Sequence, residues 1–209
     1  MTTAICLLTA DRPEYTRRTL EALDAFRPSV GYHYLHADDG SQSGENVALA
    51  LKHRFKTVYR SKERKGPVAA LRAMWAEART RGASHILHLE NDIEIIAPIP
   101  GRRDADSVRL YGDTKSPGGA RSKTGTCIIG TKEPIVWKWD GDGWFRGVAH
   151  WGGQPSITRT DLLLDAVAKA KKVKHIALTL ARMDSLKPAW PVAIHFGKET
   201  TPNHKIESR

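Results

Sequence analysis

Cysteine is scarce in this chain: two residues among 209, Cys6 and Cys127. Neither belongs to a C-x-x-C pair, which excludes a zinc or iron–sulfur centre built on thiolates. Cys6 stands in an apolar run and reads as a small core residue. No apolar stretch approaches the ~20 residues of a membrane-spanning helix. The N-terminus has no basic leader, and its apolar run is too short for a signal peptide. These absences set the expectation of a soluble protein in a reducing, cytoplasmic setting, with no membrane insertion. Acidic residues are also short, 23 against 33 Lys and Arg, for a formal net charge of +10. That balance favours an anionic partner: nucleotide phosphates, nucleic acid or an acidic membrane surface. With 40% hydrophobic residues, no repeat and no low-complexity run, one domain with a large core is expected.

What the chain does contain is alternation. Ala4–Leu8 is a continuous apolar run, the mark of a strand covered on both faces. Pro13 suits the opening of a helix, with Leu20, Leu23 and Phe26 as its stripe. Tyr32–Ala37 reads as a strand, Asn46–Phe55 as a helix and Thr57–Tyr59 as a short strand. Gly66-Pro67 opens a helix carrying Val68, Leu71, Met74, Trp75 and Ala78 inward, which Gly82 stops; His85–Leu89 is the next strand. The order βαβαβαβ implies a parallel sheet with right-handed crossovers and helices on both faces. The second half is less regular. Val108–Tyr111, Thr126–Ile129 and Val192–Phe196 read as strands, and Gly112–Gly125 as a mobile loop. Asp161–Ala170 and Ile176–Met183 read as helices, and Trp137–Gly153 shows no clear period.

The most informative segment is Leu87-His88-Leu89-Glu90-Asn91-Asp92-Ile93, an apolar strand running into two acids spaced i, i+2. In an extended chain those side chains share a face and can aim at one point. Two like charges side by side are costly, and a divalent cation is the simplest compensation. The end of a parallel strand is also where α/β sheets place their ligands.

Four segments recur in order: the strand ending Leu8-Thr9 before Asp11-Arg12-Pro13, then Asp38-Asp39-Gly40-Ser41, then Lys65-Gly66-Pro67, then Glu90-Asn91-Asp92. Together they resemble the GT-A glycosyltransferases, nearest to the large family-two group. The resemblance spans roughly the whole chain and is sharpest in the first half. It implies an α/β fold: a single GT-A-like (Rossmann-like) domain over 1–209, with a mainly parallel central sheet flanked by helices. Residues 1–92 would form the nucleotide-binding half and 93–209 the acceptor-binding half. The resemblance assigns base and ribose contacts to Thr9, Arg12, Asp38 and Asp39. Lys65 and Gly66 place a cation beside a helix N-terminus, which suits a sugar-nucleotide diphosphate; Arg72 on the same helix is a further donor contact. Glu90 and Asp92 stand where the family has its Asp-x-Asp metal motif, with Glu keeping an oxygen ligand but changing its reach. A Mn²⁺ or Mg²⁺ ion is the implied cofactor, and a nucleotide-diphosphate sugar, a UDP-sugar first, the implied donor. His195, in His-Phe-Gly-Lys, resembles the C-terminal His that closes the metal site in the glycogenin-like group, one residue shorter here; Lys198 would touch a phosphate.

Asp140-Gly141-Asp142-Gly143-Trp144 and His150-Trp151-Gly152-Gly153-Gln154-Pro155 resemble the acceptor region of these enzymes. An inverting reaction needs a carboxylate to deprotonate the acceptor hydroxyl, and Asp142, Asp140 and Asp161 are the candidates. Trp137, Trp139, Trp144 and Trp151 are either core or stacking surfaces. Basic residues cluster in Lys52–Lys65 and in Lys169–His175, and others are scattered between Arg121 and Arg146. Lysines beside tryptophans fit a double-stranded DNA acceptor bearing a hydroxymethylated base, as in bacteriophage DNA-modifying sugar transferases. The alternatives are a glycan or lipid-linked acceptor, or a non-catalytic nucleic-acid-binding α/β protein. A nucleotidyltransferase would carry a Gly-rich basic signature after the first strand, where this chain has Thr-Ala-Asp-Arg-Pro-Glu.

Overall fold

The computed structural model describes residues 2–28, 31–101, 104–110, 137–149, 155–188 and 192–195, with Trp137, Ala149 and His195 in backbone only. The first half alternates as its pattern requires: β1 (Thr3–Thr9), α1 (Pro13–Ala25), β2 (Tyr32–Asp39), α2 (Glu45–Lys52), β3 (Lys56–Ser61), α3 (Pro67–Thr80) and β4 (His85–Glu90). β1 is buried along its whole length because β2 and β4 flank it in parallel and helices cover both faces. α1 opens on Pro13 and buries Thr16, Thr19, Leu20 and Leu23, one stripe at helical spacing. α2 ends at Lys52, earlier than its pattern suggests, because Arg54 turns to φ 66° and delivers Phe55 into the core.

The second half adds β5 (Ile93–Ile95), β6 (Ser107–Arg109), β7 (Trp137–Gly141), β8 (Trp144–Ala149), β9 (Ser156–Arg159), α4 (Thr160–Lys169), α5 (Val173–Thr179), β10 (Met183–Pro188) and β11 (Ala193–His195). Nine strands form one sheet in the order β3-β2-β1-β4-β9-β6-β10-β8-β7, while β11 and β5 pair in a separate ribbon. The β3-β2-β1-β4 portion is parallel; β9 runs antiparallel to both β4 and β6, and β10 returns parallel to β6. One sheet face, with Ala4, Cys6 and Ile86, packs under α3 and α4. The other, with Ile5, Leu7 and Leu87, packs on α1 and α2.

Two expectations are corrected here, and one strand is added. Trp137–Gly153 holds a β-hairpin, β7–β8, turning through Gly141, Asp142 and Gly143, all at positive φ. The helix expected over Ile176–Met183 ends at Thr179, and Met183 begins β10. β9 was not legible as a strand. The readings at Gly112–Gly125 and Thr126–Ile129 lie outside the described residues. Among the described residues, no helix is long and apolar enough to cross a membrane.

Candidate functional site

β1, β2, β3 and β4 run the same way, so their C-terminal ends share one rim of the sheet. The loops that leave this rim are tied together by side chains. Thr9, at the end of β1, donates from Oγ1 to Asp38 Oδ1 at 2.7 Å. Ser41 donates to the same oxygen from Oγ at 2.5 Å and to Oδ2 from its amide at 3.3 Å. Asn46 of α2 donates from Nδ2 to Ser41 Oγ at 2.8 Å and to the Asp11 carbonyl at 3.0 Å, and Asn91 donates to that carbonyl at 3.2 Å. The loop after β1 is thereby pinned to the loops after β2 and β4. Its two central residues, Asp11 and Arg12, both sit at left-handed φ near 50°, a backbone cost of the kind that gathers at ligand sites.

Beneath this rim lies a buried relay that sequence reading missed. His36 Nε2 is 2.9 Å from Thr9 Oγ1, and His36 Nδ1 is 2.9 Å from Thr57 Oγ1. Burial pushes the imidazole down to about 4 despite the Asp38 carboxylate, so the ring is neutral at pH 7. Thr9 spends its proton on Asp38 and must accept from His36, which fixes the proton on Nε2; Thr57 then donates to Nδ1. Only the alternation of β2, which turns His36 inward beside Leu7, hints at this in the sequence.

The loop after β3 joins the same rim. The Lys65 amide donates to Asp39 Oδ1 at 3.1 Å. Gly40, at φ +83°, lies against the backbone of residues 63–64 where no Cβ fits. Gly66, at φ +87° and ψ 152°, caps α3, and Pro67 opens it. The other described helices of eight or more residues carry an acid in the first turn; α3 carries none and has the exposed Lys65 beside it. Its positive end therefore has no acidic side chain from its own first turn.

The acid pair marks the fourth loop. β4 stops at Glu90, and Asn91-Asp92 form a turn into β5, so the expected run of extended chain through both acids does not occur. Glu90 has its side chain 45% exposed, with Oε1 3.8 Å from His88 Nε2. Asp92 is buried at 9% side-chain exposure, and its Oδ2 lies 3.9 Å from an Arg12 guanidinium nitrogen. Arg12 also covers the Tyr15 ring at 5.0 Å and reaches Asn91 Oδ1 at 3.5 Å. β11 pairs with β5 so that His195 stands opposite Ile93, next to Asp92; its side chain is outside the described residues, as is Lys198. Among the described residues no group of three or more His, Cys, Asp or Glu side chains gathers as a cation cage.

The remaining expected residues lie elsewhere. Arg72 donates to the Val167 and Ala170 carbonyls at the C-terminal end of α4, at 3.0 and 3.3 Å, and so serves helix packing. Asp161 pairs with Arg159, opposite His85 at the start of β4, on the other rim of the sheet. Asp140 and the exposed Asp142 belong to the β7–β8 hairpin, at the far end of the sheet from β3 and five strand positions from β4. Asp140 lies 3.6 Å from Arg146 Nε. Trp144 packs on the core, whereas Trp139 is 61% exposed and meets Phe145 edge-on at 5.2 Å.

No protein-family model and no curated protein matches the sequence. Solved structures match the fold. TarS 1-349 from S. aureus in complex with UDP is 14% identical, with a TM-score of 0.62 over 99% of this chain and 63% of that one. Full TarS is 15% identical, at 0.59, over 99% of this chain and 38% of that one. The mannosyltransferase PcManGT from Pyrobaculum calidifontis, in complex with GDP-Man and Mn²⁺, is 13% identical, at 0.54, over 92% and 56%. The chain thus spans about three fifths of TarS 1-349. At such identities the likeness establishes the fold: the α/β architecture is the GT-A one expected from the sequence.

Proposed function

We propose that this protein transfers a sugar from a nucleotide-diphosphate sugar, a UDP-sugar first, to an acceptor hydroxyl. One observation carries the reading: the loops after four neighbouring parallel strands are bonded into a single rim that combines an acid turn, a helix N-terminus and a lysine. A fold that ties these loops together at the cost of strained φ at Asp11 and Arg12 is organised to hold a ligand there.

Asp39, Arg12 and the loop 9–12 face the base and ribose; Thr9 and Asp38, fully buried, set the position of Ser41 and Asp11 from below. Lys65 and the α3 N-terminus take the diphosphate. Glu90 and Asp92 supply hard carboxylate oxygens, a donor set that suits Mn²⁺ or Mg²⁺ shared with substrate phosphates, and the register of β11 supports His195 as the third group. Such an ion, when bound, supplies Lewis-acid stabilisation to the leaving diphosphate. Arg12 beside Asp92 adds a positive charge at the same place. Asp142, exposed at the hairpin tip, stands five strand positions from β4 and so lies out of reach of a hydroxyl attacking a donor held at the acid turn; the general base is left unassigned. The net charge of +10 supports an anionic acceptor, a hydroxymethylated base in DNA first.

The test is release of nucleoside diphosphate from a set of nucleotide sugars, with hydroxymethylated duplex DNA in one arm and glycan acceptors in the other. Acceptor-stimulated release in the DNA arm supports the full reading. Release stimulated only by a glycan overturns the acceptor, and no release from any donor overturns sugar transfer.

A further inference from the structure

Asp92 is an acid held out of water beside a cation of the chain's own. Its side chain is 9% exposed, and Oδ2 lies 3.9 Å from Arg12 Nη1. Arg12 Nη2 reaches Asn91 Oδ1 at 3.5 Å, and the guanidinium lies over the Tyr15 ring at 5.0 Å. These contacts lay one positive charge along the acid turn. A carboxylate so buried carries a desolvation cost, and the guanidinium offsets part of it. The hold is loose, however. Arg146 meets Asp184 at 2.6 Å and Arg159 meets Asp106 at 3.1 Å, whereas Arg12 stands off Asp92 without the short, forked geometry of a settled pair.

Only the side chain of Arg12 is free to move. Its backbone, with that of Asp11, sits at left-handed φ. The Arg12 carbonyl accepts from the amides of Tyr15 at 3.0 Å and Thr16 at 3.2 Å. The Asp11 carbonyl accepts from Asn46 and Asn91. The chain is thus pinned on both sides of the residue, while its side chain is 34% exposed and has room to swing along the rim. Asp92 is also one of the two carboxylates suited to a divalent cation. A guanidinium and a divalent ion at one buried carboxylate repel strongly, because the Coulomb energy grows as distance and dielectric fall. The two therefore compete for Asp92.

We propose that Arg12 is a displaceable counter-ion of Asp92, a positioning residue that couples cation binding to nucleotide binding. Arg12 leaves the carboxylate when a divalent ion takes it, and the freed guanidinium turns to the diphosphate at the same rim. Without nucleotide, Arg12 returns to Asp92 and cation binding is weak. With a diphosphate to receive the guanidinium, cation and nucleotide strengthen each other by the same factor. The receiving step rests on the glycosyl-transfer reading; the competition at Asp92 rests on the contacts of Arg12 alone.

The test is Mn²⁺ binding to the full-length, chelator-treated protein, read from the electron paramagnetic resonance of free Mn²⁺, with and without UDP. Without nucleotide, Arg12→Gln should bind Mn²⁺ about tenfold more tightly than wild type, as expected if Arg12 covers Asp92 about nine-tenths of the time. The difference should persist in ~1 M KCl, where the Debye length is about 3 Å. It should vanish in an Asp92→Asn background. UDP should tighten Mn²⁺ binding in both proteins, by a smaller factor in Arg12→Gln. Circular dichroism checks the fold; should Arg12→Gln not fold, Arg12→Asn, suited to a left-handed backbone, takes its place.

Mn²⁺ affinity in Arg12→Gln equal to or weaker than wild type overturns the proposal. So does a gain that disappears in high salt, the mark of a general field, or one that survives Asp92→Asn. No Mn²⁺ binding by either protein, with or without UDP, overturns it as well. An equal UDP factor in both proteins overturns the coupling and leaves the competition. If Mn²⁺ binds as expected but UDP binds neither protein, the competition stands and the transfer reading falls. If wild type binds UDP with Mn²⁺ and Arg12→Gln behaves identically, the transfer reading stands and the counter-ion falls.

Discussion

Gly40 lies against Arg64 so closely that a Cβ on Gly40 would stand 2.3 Å from the Arg64 amide nitrogen. This contact lets the loop after β2 and the loop after β3 share one rim, and it allows the Lys65 amide to meet Asp39. Gly40→Ala should therefore cost about 2–4 kcal/mol, from positive φ and from displaced backbone together. Gly82→Ala, with φ +75° but open space around it, should cost only about 1 kcal/mol. Urea unfolding of both variants checks the difference; equal losses would show that the rim is not packed as described.

His36 gives the protein a dependence on acid. Its folded value of about 4 lies below the ordinary 6.5, so the unfolded chain binds more protons between those values. The stabilisation is complete above pH 6.5 and is lost as pH falls toward 4, by roughly 3 kcal/mol at most. The difference in unfolding free energy between wild type and His36→Asn should shrink across that window. A constant difference from pH 7 to 4 would mean that His36 titrates alike in both states.

Glu90→Ala and Asp92→Ala should each lower turnover about a hundredfold or more and weaken Mn²⁺-dependent nucleotide binding, with the fold intact by circular dichroism. His195→Ala should lose less, because two carboxylates and the diphosphate remain. Near-normal turnover in either acid variant removes the cation from the account.

Asp142→Asn should leave both UDP affinity and turnover near wild type, since the hairpin tip stands five strand positions from β4. Steady-state kinetics beside a nucleotide titration checks both. A large loss of turnover at unchanged UDP affinity would return the acceptor hydroxyl to Asp142.

The parallel half of the fold was legible because β1 carries a continuous apolar run, β2 and β4 keep apolar stretches, and its helices open on Pro13 and Gly66-Pro67, signals that local physics fixes. The loops at their ends were legible for the same reason: Asp38-Asp39-Gly40-Ser41 and Glu90-Asn91-Asp92 interrupt those runs. The antiparallel half was not. β9 is four residues long and polar on the face where Ser156 and Thr158 stand, so it shows no core stripe. The β7–β8 hairpin was hidden because Asp140-Gly141-Asp142-Gly143 read as acceptor chemistry before it read as a turn. Arg72 looked like a phosphate ligand from its helix, but only tertiary packing reveals that α4 ends beneath it. The His36 relay has no sequence signature, since its partners come from β1, β2 and β3 and meet only through register.

A thermal-shift titration with UDP-sugars and GDP-sugars, with and without Mn²⁺, tests the nucleotide rim most directly. Saturating cognate nucleotide sugar should raise the wild-type Tm by about 5 °C or more, with a clearly smaller rise in Asp92→Asn. No shift with any nucleotide sugar, in either metal condition, would contradict the account.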